Sequence, residues 1–233
     1  MKYKIWQNEE TLHIERERAG RWSLFHVSMK EDHIQIYLPE QDYESLWIKS
    51  SSGGIGIPEG FRFDNAIITV SSGGVAFAAD AAGELNIRTS SGGVAVKNAS
   101  PENLFISASS GGVALSGMAP GRVSLNSTSG SLKLDGIRCG GDLSAEVSSG
   151  SIRLSDVITD GAMTLECTSG SIKLDDCDAA ELHIRSTSGS VSGHLLTPKI
   201  YSASAVSGSI RVPTGGSGGI CDVKTTSGSI HFD

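Results

Sequence analysis

The sequence predicts an all-β chain: a single-stranded parallel β-solenoid (β-helix) of about ten coils of 19–20 residues, with an N-terminal antiparallel β cap. Three observations predict it. A Ser-Gly step recurs at Gly53, Gly73, Gly92, Gly111, Gly130, Gly150, Gly170, Gly189, Gly208 and Gly228, always 19 or 20 residues after the last. Apolar residues alternate on both sides of each step. The parity of that alternation changes across the glycine. A fixed period of this length marks a stacked repeat.

The first element is the cap. Residues 1–33 break the period, carry mixed charge, and alternate like strands at Thr11–Glu15 and Trp22–Val27. They are read as an antiparallel pair covering the first coil, ahead of a solenoid domain over 34–233. Ile34, Ile36 and Leu38 then alternate as a strand before the first repeat.

Within each repeat, positions seven, five and three before the glycine are apolar or small, as in Leu85/Ile87/Thr89 and Leu104/Ile106/Ala108. Positions two and four after it are apolar too, as in Val94/Val96 and Ile152/Leu154. Each set has the period of two of a strand with one buried face. Only a bend at the glycine keeps both sets on one side, and glycine permits the backbone angles of such a corner. The serine just before it is read as facing inward, its hydroxyl forming a polar ladder along the corner. A third inward column is read at Met118, Ile137, Val157, Cys177 and Leu196, preceded by the turn residues Asn98, Gly117, Gly136, Asp156 and Asp176.

Ten coils at about 4.8 Å make a rod of roughly 48 Å, stabilised by neighbour contacts rather than one central core. An antiparallel sandwich fits less well, because hairpins reverse direction and would not repeat the same residues at the same offsets. The sequence stops at Asp233, just after the tenth second strand. An open end carries unpaired backbone groups, so a partner chain or further residues are expected to cover it.

Composition narrows the function. The net charge of −7 gives no support for the basic face that nucleic acid would need. No run of about 18 apolar residues could span a membrane as a helix. The first residues lack the apolar core of a signal peptide. That implies a cytoplasmic chain, or one whose export or anchor segment lies outside this sequence.

Outward columns carry the candidate sites. One residue after each corner the column reads Gly54, Gly74, Gly93 and Gly112, then six serines. Three residues after, it reads Gly56, Ala76, Ala95 and Ala114, then Lys133, Arg153, Lys173, Ser192, Arg211 and His231. Coils one to four therefore predict a flat small-residue contact face for the cap or a second protomer; duplication of one ancestral coil would leave the same pattern. Trp47, Ile67 and Phe105 share an outward column interrupted by Asn86. They either pack beneath the cap or form a contact patch for a glycan or protein.

Glu146 and Glu166 stack one coil apart, a spacing near that of a retaining glycosidase pair. They read more simply as exposed positions in weak pairs with Lys133, Arg153 and Lys173. Asp135, Asp156, Asp160, Asp175, Asp176 and Asp178 gather at one corner, where calcium is conceivable and ordinary turn chemistry suffices. No HExxH, CxxC or P-loop pattern is present, so no catalytic residue, metal or cofactor is predicted. A hydroxyl row at Ser90, Ser109, Thr128, Ser148, Thr168 and Thr187 resembles an ice-binding array, but Glu146, Glu166, Arg185 and Lys224 beside it spoil a flat uncharged surface. The four cysteines are read as free thiols packed as small hydrophobes.

The unit Leu85–Val96, with its Thr89-Ser90-Ser91-Gly92-Gly93 corner, resembles the bacterial DUF4097 family, whose members are often described as adhesins. The Ile34–Leu46 segment, with a strand ending in Leu38-Pro39, looks like the same family. The resemblance covers residue 34 to the end. It implies a β-solenoid with no catalytic residues to carry over, and members tethered at the bacterial envelope. Together these features predict a non-enzymatic interaction or scaffold module, adhesin-like; the alternative is a carbohydrate-binding or carbohydrate-active β-helix. The partner, protein or glycan, is not specified, and homo-oligomerisation is expected through a solenoid end or the small-residue face.

Overall fold

The computed structural model describes residues 3–8, 10–16, 35–39 and 41–233. The chain falls into two compact units, Met1–Pro39 and Glu40–Asp233. In the first, strands Tyr3–Asn8 and Thr11–Arg16 pair antiparallel. Trp6 faces His13 across the ladder, with stacked rings 4.9 Å apart, and Lys4 lies 5.0 Å over the indole. The strand expected at Trp22–Val27 falls outside the described residues, as does Ile34. Residues 35–39 form no strand, and Ile36 and Tyr37 are exposed. Alternation alone does not make a strand, and Pro39 has no amide to donate to a ladder.

The second unit is a parallel β-solenoid of ten coils. In the first eight, each coil pairs in register with the one before: Leu46↔Ala66, Ala66↔Leu85, Leu85↔Leu104, and so on to Met163↔Leu182. The apolar columns stack into one continuous buried interior, including Ile68, Ile87, Ile106, Leu125, Leu165 and Ile184. Each buried Leu or Ile contributes about 1.5–3 kcal/mol.

The corner works differently from the sequence reading. The serine before each glycine is exposed in all ten coils, so it cannot form an interior ladder. Two consecutive residues before the glycine point outward, and this doubling supplies the change of parity while the glycine makes the turn. Nine of the ten corner glycines have φ between 96° and 152°. Their amides donate to the preceding-serine carbonyl of the adjacent coil, as from Gly73 to Ser91 at 2.8 Å and Gly111 to Ser129 at 3.0 Å. In coils eight and ten an interior polar contact comes instead from three residues before the glycine: Ser186 and Thr225 hydroxyls both donate to the Gly189 carbonyl.

The second corner is left-handed, as the turn residues predict: Asn98, Gly117, Gly136, Asp156 and Asp176 all have φ between 51° and 62°. Coil eight lacks this extra residue. Its register slips after Leu174↔Gly193, and Cys177 pairs with Leu195. Leu195 is therefore the buried member of the third column, and Leu196 is exposed.

The last two coils are out of sequence order. Strand Ile220–Ser227 of the tenth coil pairs on one side with the eighth-coil part of strand Ile172–Ser188, from Leu182 on, and on the other with Ile200–Ser207 of the ninth. The C-terminal strand Ile230–Phe232 likewise lies between Val191–Leu195 and Ile210–Arg211. The chain skips one coil position, forms the outermost coil, and returns to fill the gap. The open end is thus coil nine, not the chain terminus.

Lys199 marks the skip. Its ammonium is buried, donates to the Ala179 carbonyl at 2.6 Å and pairs with Asp178 at 2.7 Å. Burial alone would raise the Asp178 carboxyl pKa; hydrogen bonds from Lys199, Thr197 and the Ala179 amide outweigh it and hold the value below the usual carboxylate range.

A Cβ on Gly111 would lie 2.3 Å from the Gly92 carbonyl oxygen, whereas one on Gly112 meets nothing nearer than 3.4 Å. Gly111→Ala is therefore expected to cost roughly 2–4 kcal/mol in urea unfolding, and Gly112→Ser to stay within about 0.5 kcal/mol. Lys199→Ala, which leaves the Asp178 carboxylate only its hydrogen bonds from Thr197 and the Ala179 amide, is expected to cost about 1–3 kcal/mol at pH 7. Because the Asp178 pKa is depressed on folding, its contribution is complete above about pH 4 and is lost as pH falls through the folded value. Unfolding curves of Asp178→Asn and the parent protein should therefore differ at pH 7 and converge in acid.

Candidate interaction surfaces

Along the second side of the rod, strands Ile55–Ile57, Val75–Phe77, Val94–Lys97 and Val113–Met118 lie side by side. Their outward positions align as Gly56↔Ala76, Ala76↔Ala95 and Ala95↔Ala114. With Gly54, Gly74, Gly93 and Gly112 at the neighbouring outward position, they leave bare backbone between short methyl groups. A shallow apolar trough results, lined by Gly54, Gly74, Gly93 and Gly112 together with Gly56, Ala76 and Ala95. It runs on towards Pro58, Ala78 and Lys97. Ala114 continues the row, and Lys133 stands next in register at its border.

The fold does not demand these glycines. A Cβ would meet a neighbouring carbonyl oxygen at 3.3–3.6 Å on Gly54, Gly74, Gly93 and Gly112, and nothing within 4 Å on Gly56. The later coils carry serine at the equivalent place, where Ser151 and Ser171 hydroxyls approach to 3.4 Å and Ser209 donates to Ser229 at 3.1 Å. Beside them Lys133, Arg153 and Lys173 form a row in register. In the swapped end of the rod that row continues Ser192, His231, Arg211.

Trp47, Ile67, Asn86 and Phe105 lie in one row across four adjacent strands. Trp47 is 73% exposed, and Ile67 and Phe105 keep 39% and 38% of their surface. Asn86 donates to Glu84, so its amide is held along its own strand.

Glu146 and Glu166 are opposite each other in register and exposed on a strand face. Among the described residues neither makes an ion pair; the expected pairs with Lys133, Arg153 and Lys173 do not form because the glycine corner lies between the two columns. Four of the six aspartates have separate partners: Asp156 holds Arg138 at 2.7 Å, Asp176 meets His194 at 2.9 Å, Asp175 meets Lys173 at 3.9 Å, and Asp178 holds Lys199. Among the described residues no three His, Cys, Asp or Glu side chains are placed to hold a metal ion.

Sequence reasoning missed one polar cluster. Asp222 accepts from both Arg185 and Lys224, and their combined attraction outweighs its burial and lowers its pKa. Arg185 and Asp222 lie 37 residues apart, and only the swapped coil order makes them neighbours. The four cysteines are free and buried. Burial pushes the thiol pKa of Cys177 up to about 11 and that of Cys221 up to about 12. The thiolate is the reactive form, so the folded protein should resist a thiol-specific disulfide reagent at pH 8. Cys177 and Cys221 should react only after denaturant is added.

No helix is long and apolar enough to cross a membrane among the described residues. No curated protein and no solved structure matches the chain. A family model described as Toastrack DUF4097 matches residues 1–157, well over half of the 233-residue sequence. That span takes in the antiparallel pair, the small-residue trough and the row of Trp47, Ile67 and Phe105; the chain belongs to the DUF4097 (Toastrack) family.

Proposed function

We propose that this protein is a non-enzymatic interaction module, a stiff rod that presents the trough of coils one to four to the surface of another protein. The carrying observation is that this face is bare although packing would accept side chains there. A flat apolar strip suits close approach by a second backbone or a flat side-chain surface. An adhesin-like role at the bacterial envelope is the form of this reading that the sequence resemblance implies.

A carbohydrate-binding role is the second reading, favoured by the exposed Trp47 ring. Indole faces offer apolar area with little conformational freedom to lose. Glu146 and Glu166 share an exposed strand face, and the reading assigns them no chemistry.

A photo-crosslinking amino acid at position 95, used in cells that express the natural protein, tests the first reading. A specific adduct from position 95, absent from position 166, is expected. Gly93→Trp should abolish that adduct while leaving the unfolding free energy within about 0.5 kcal/mol. Equal capture at both positions would overturn the reading. A glycan array probed with the parent protein and Trp47→Ala tests the second: binding lost in the variant supports it, and an array without signal rejects it.

A further inference from the structure

The ninth coil forms the free end of the rod. Its strand Ile200–Ser207 pairs on one side with Ile220–Ser227, and among the described residues no strand pairs with the other side. The interior columns surface there: Tyr201, Ala203 and Ala205, buried positions in earlier coils, are only partly covered. Ile200 is 52% and Val206 82% exposed.

Edge strands usually carry a charge, a proline or a bulge that blocks further pairing. The strand at the other end, Asp42–Ser52, carries Asp42, Glu44 and Lys49. Ile200–Ser207 reads Ile-Tyr-Ser-Ala-Ser-Ala-Val-Ser and has no charge, proline or glycine. Nothing in its side chains opposes a second strand.

We propose that this edge is a homodimer interface, in which two copies of the chain pair Ile200–Ser207 antiparallel about a two-fold axis at Ala203. Antiparallel pairing sets residues of the same face opposite each other. With Ala203 at the axis, Tyr201 meets Ala205 of the second copy, a large side chain against a small one. Ile200 meets Val206 of the second copy, so both exposed outward apolar residues are covered. Ser202 meets Ser204 of the second copy. Moving the axis to Ser204 would set Val206 against Ser202 and leave Ile200 without an apolar partner. The self-match at Ala203 identifies the occupant as another copy. The arrangement closes, because each copy uses the same edge and none is left over. Head-to-tail stacking would instead bring the uncharged edge against the charged first-coil strand. This inference does not rest on the trough reading.

Sedimentation equilibrium of the full chain tests it. The parent protein is expected to be in monomer–dimer equilibrium. Ser202→Lys/Ser204→Lys sets like charges opposite each other twice, and should weaken association by about tenfold or more. Ser202→Lys/Ser204→Glu sets opposite charges across the same two pairs, and should restore it. Both substitutions are at exposed outward positions, and circular dichroism should show the same fold. Ala203→Cys should form a disulfide-linked dimer on mild oxidation, since directly opposed residues lie at bridging distance. A chain that stays monomeric to about 1 mM would overturn the proposal. So would a dimer indifferent to both double variants, or open-ended assemblies.

Discussion

The structure depends on one contact: at each main corner the backbone of one glycine lies against the carbonyl of the next. A Cβ on Gly73, Gly92, Gly130 or Gly150 would fall 2.1–2.2 Å from the neighbouring glycine oxygen. No side chain fits such a space, and the positive φ at most corners excludes one independently. The corner column is therefore all glycine, and it sets the register. Once the glycines stack, every position before and after them is fixed above its equivalent. The inward columns can then be as simple as Leu, Ile and Val, because the register is held at the corner and not by interlocking shapes.

That arrangement also explains how the last two coils can exchange places. Every coil presents the same corner and the same backbone donors and acceptors, so the tenth coil fits between the eighth and ninth. Gly189 donates to Ser227, and Gly228 donates to Ser207, with the geometry of any other step. The exchange is recorded only where side chains cross coils. Lys199 reaches back to Ala179 and Asp178, and Arg185 finds Asp222. A buried ion pair adds little to stability compared with apolar packing, but removing one partner is costly. Here such a pair sits where the chain must leave a coil position empty for a later segment.

This distinction separates what the sequence discloses from what it does not. The period, the inward columns and both corners were legible, because burial in a strand depends on parity and parity is local. The small-residue trough was legible as a pair of columns for the same reason. Coil order was not, since a period of 19–20 residues is the same whether the chain advances one position or two. The exposed corner serines were misread because the parity change was placed at the glycine, whereas two outward residues in succession just before it produce it. Leu196 was misassigned because coil eight omits a turn residue, and a single deletion shifts every later offset by one. The strand at Ile36–Leu38 failed for a different reason: a strand needs a neighbour, and no pattern within it supplies one.

The two surfaces singled out arise from different physics. The end of a solenoid is apolar of necessity, because the interior columns must stop somewhere and the last members lose one neighbour. Tyr201, Ala203 and Ala205 are partly exposed for that reason alone. What is not necessary is the absence of charge along Ile200–Ser207, and that absence leaves the edge open to pairing. The trough of coils one to four is a side feature. There the interior places no demand on the outward columns, as the serines and cations of coils five to seven show on the same backbone. Interior and exterior are decoupled in this fold: the glycine corner and the inward columns fix the rod, and the outward columns vary without disturbing it. A rod of this kind can change its surface coil by coil while its backbone stays constant, a property suited to a binding module.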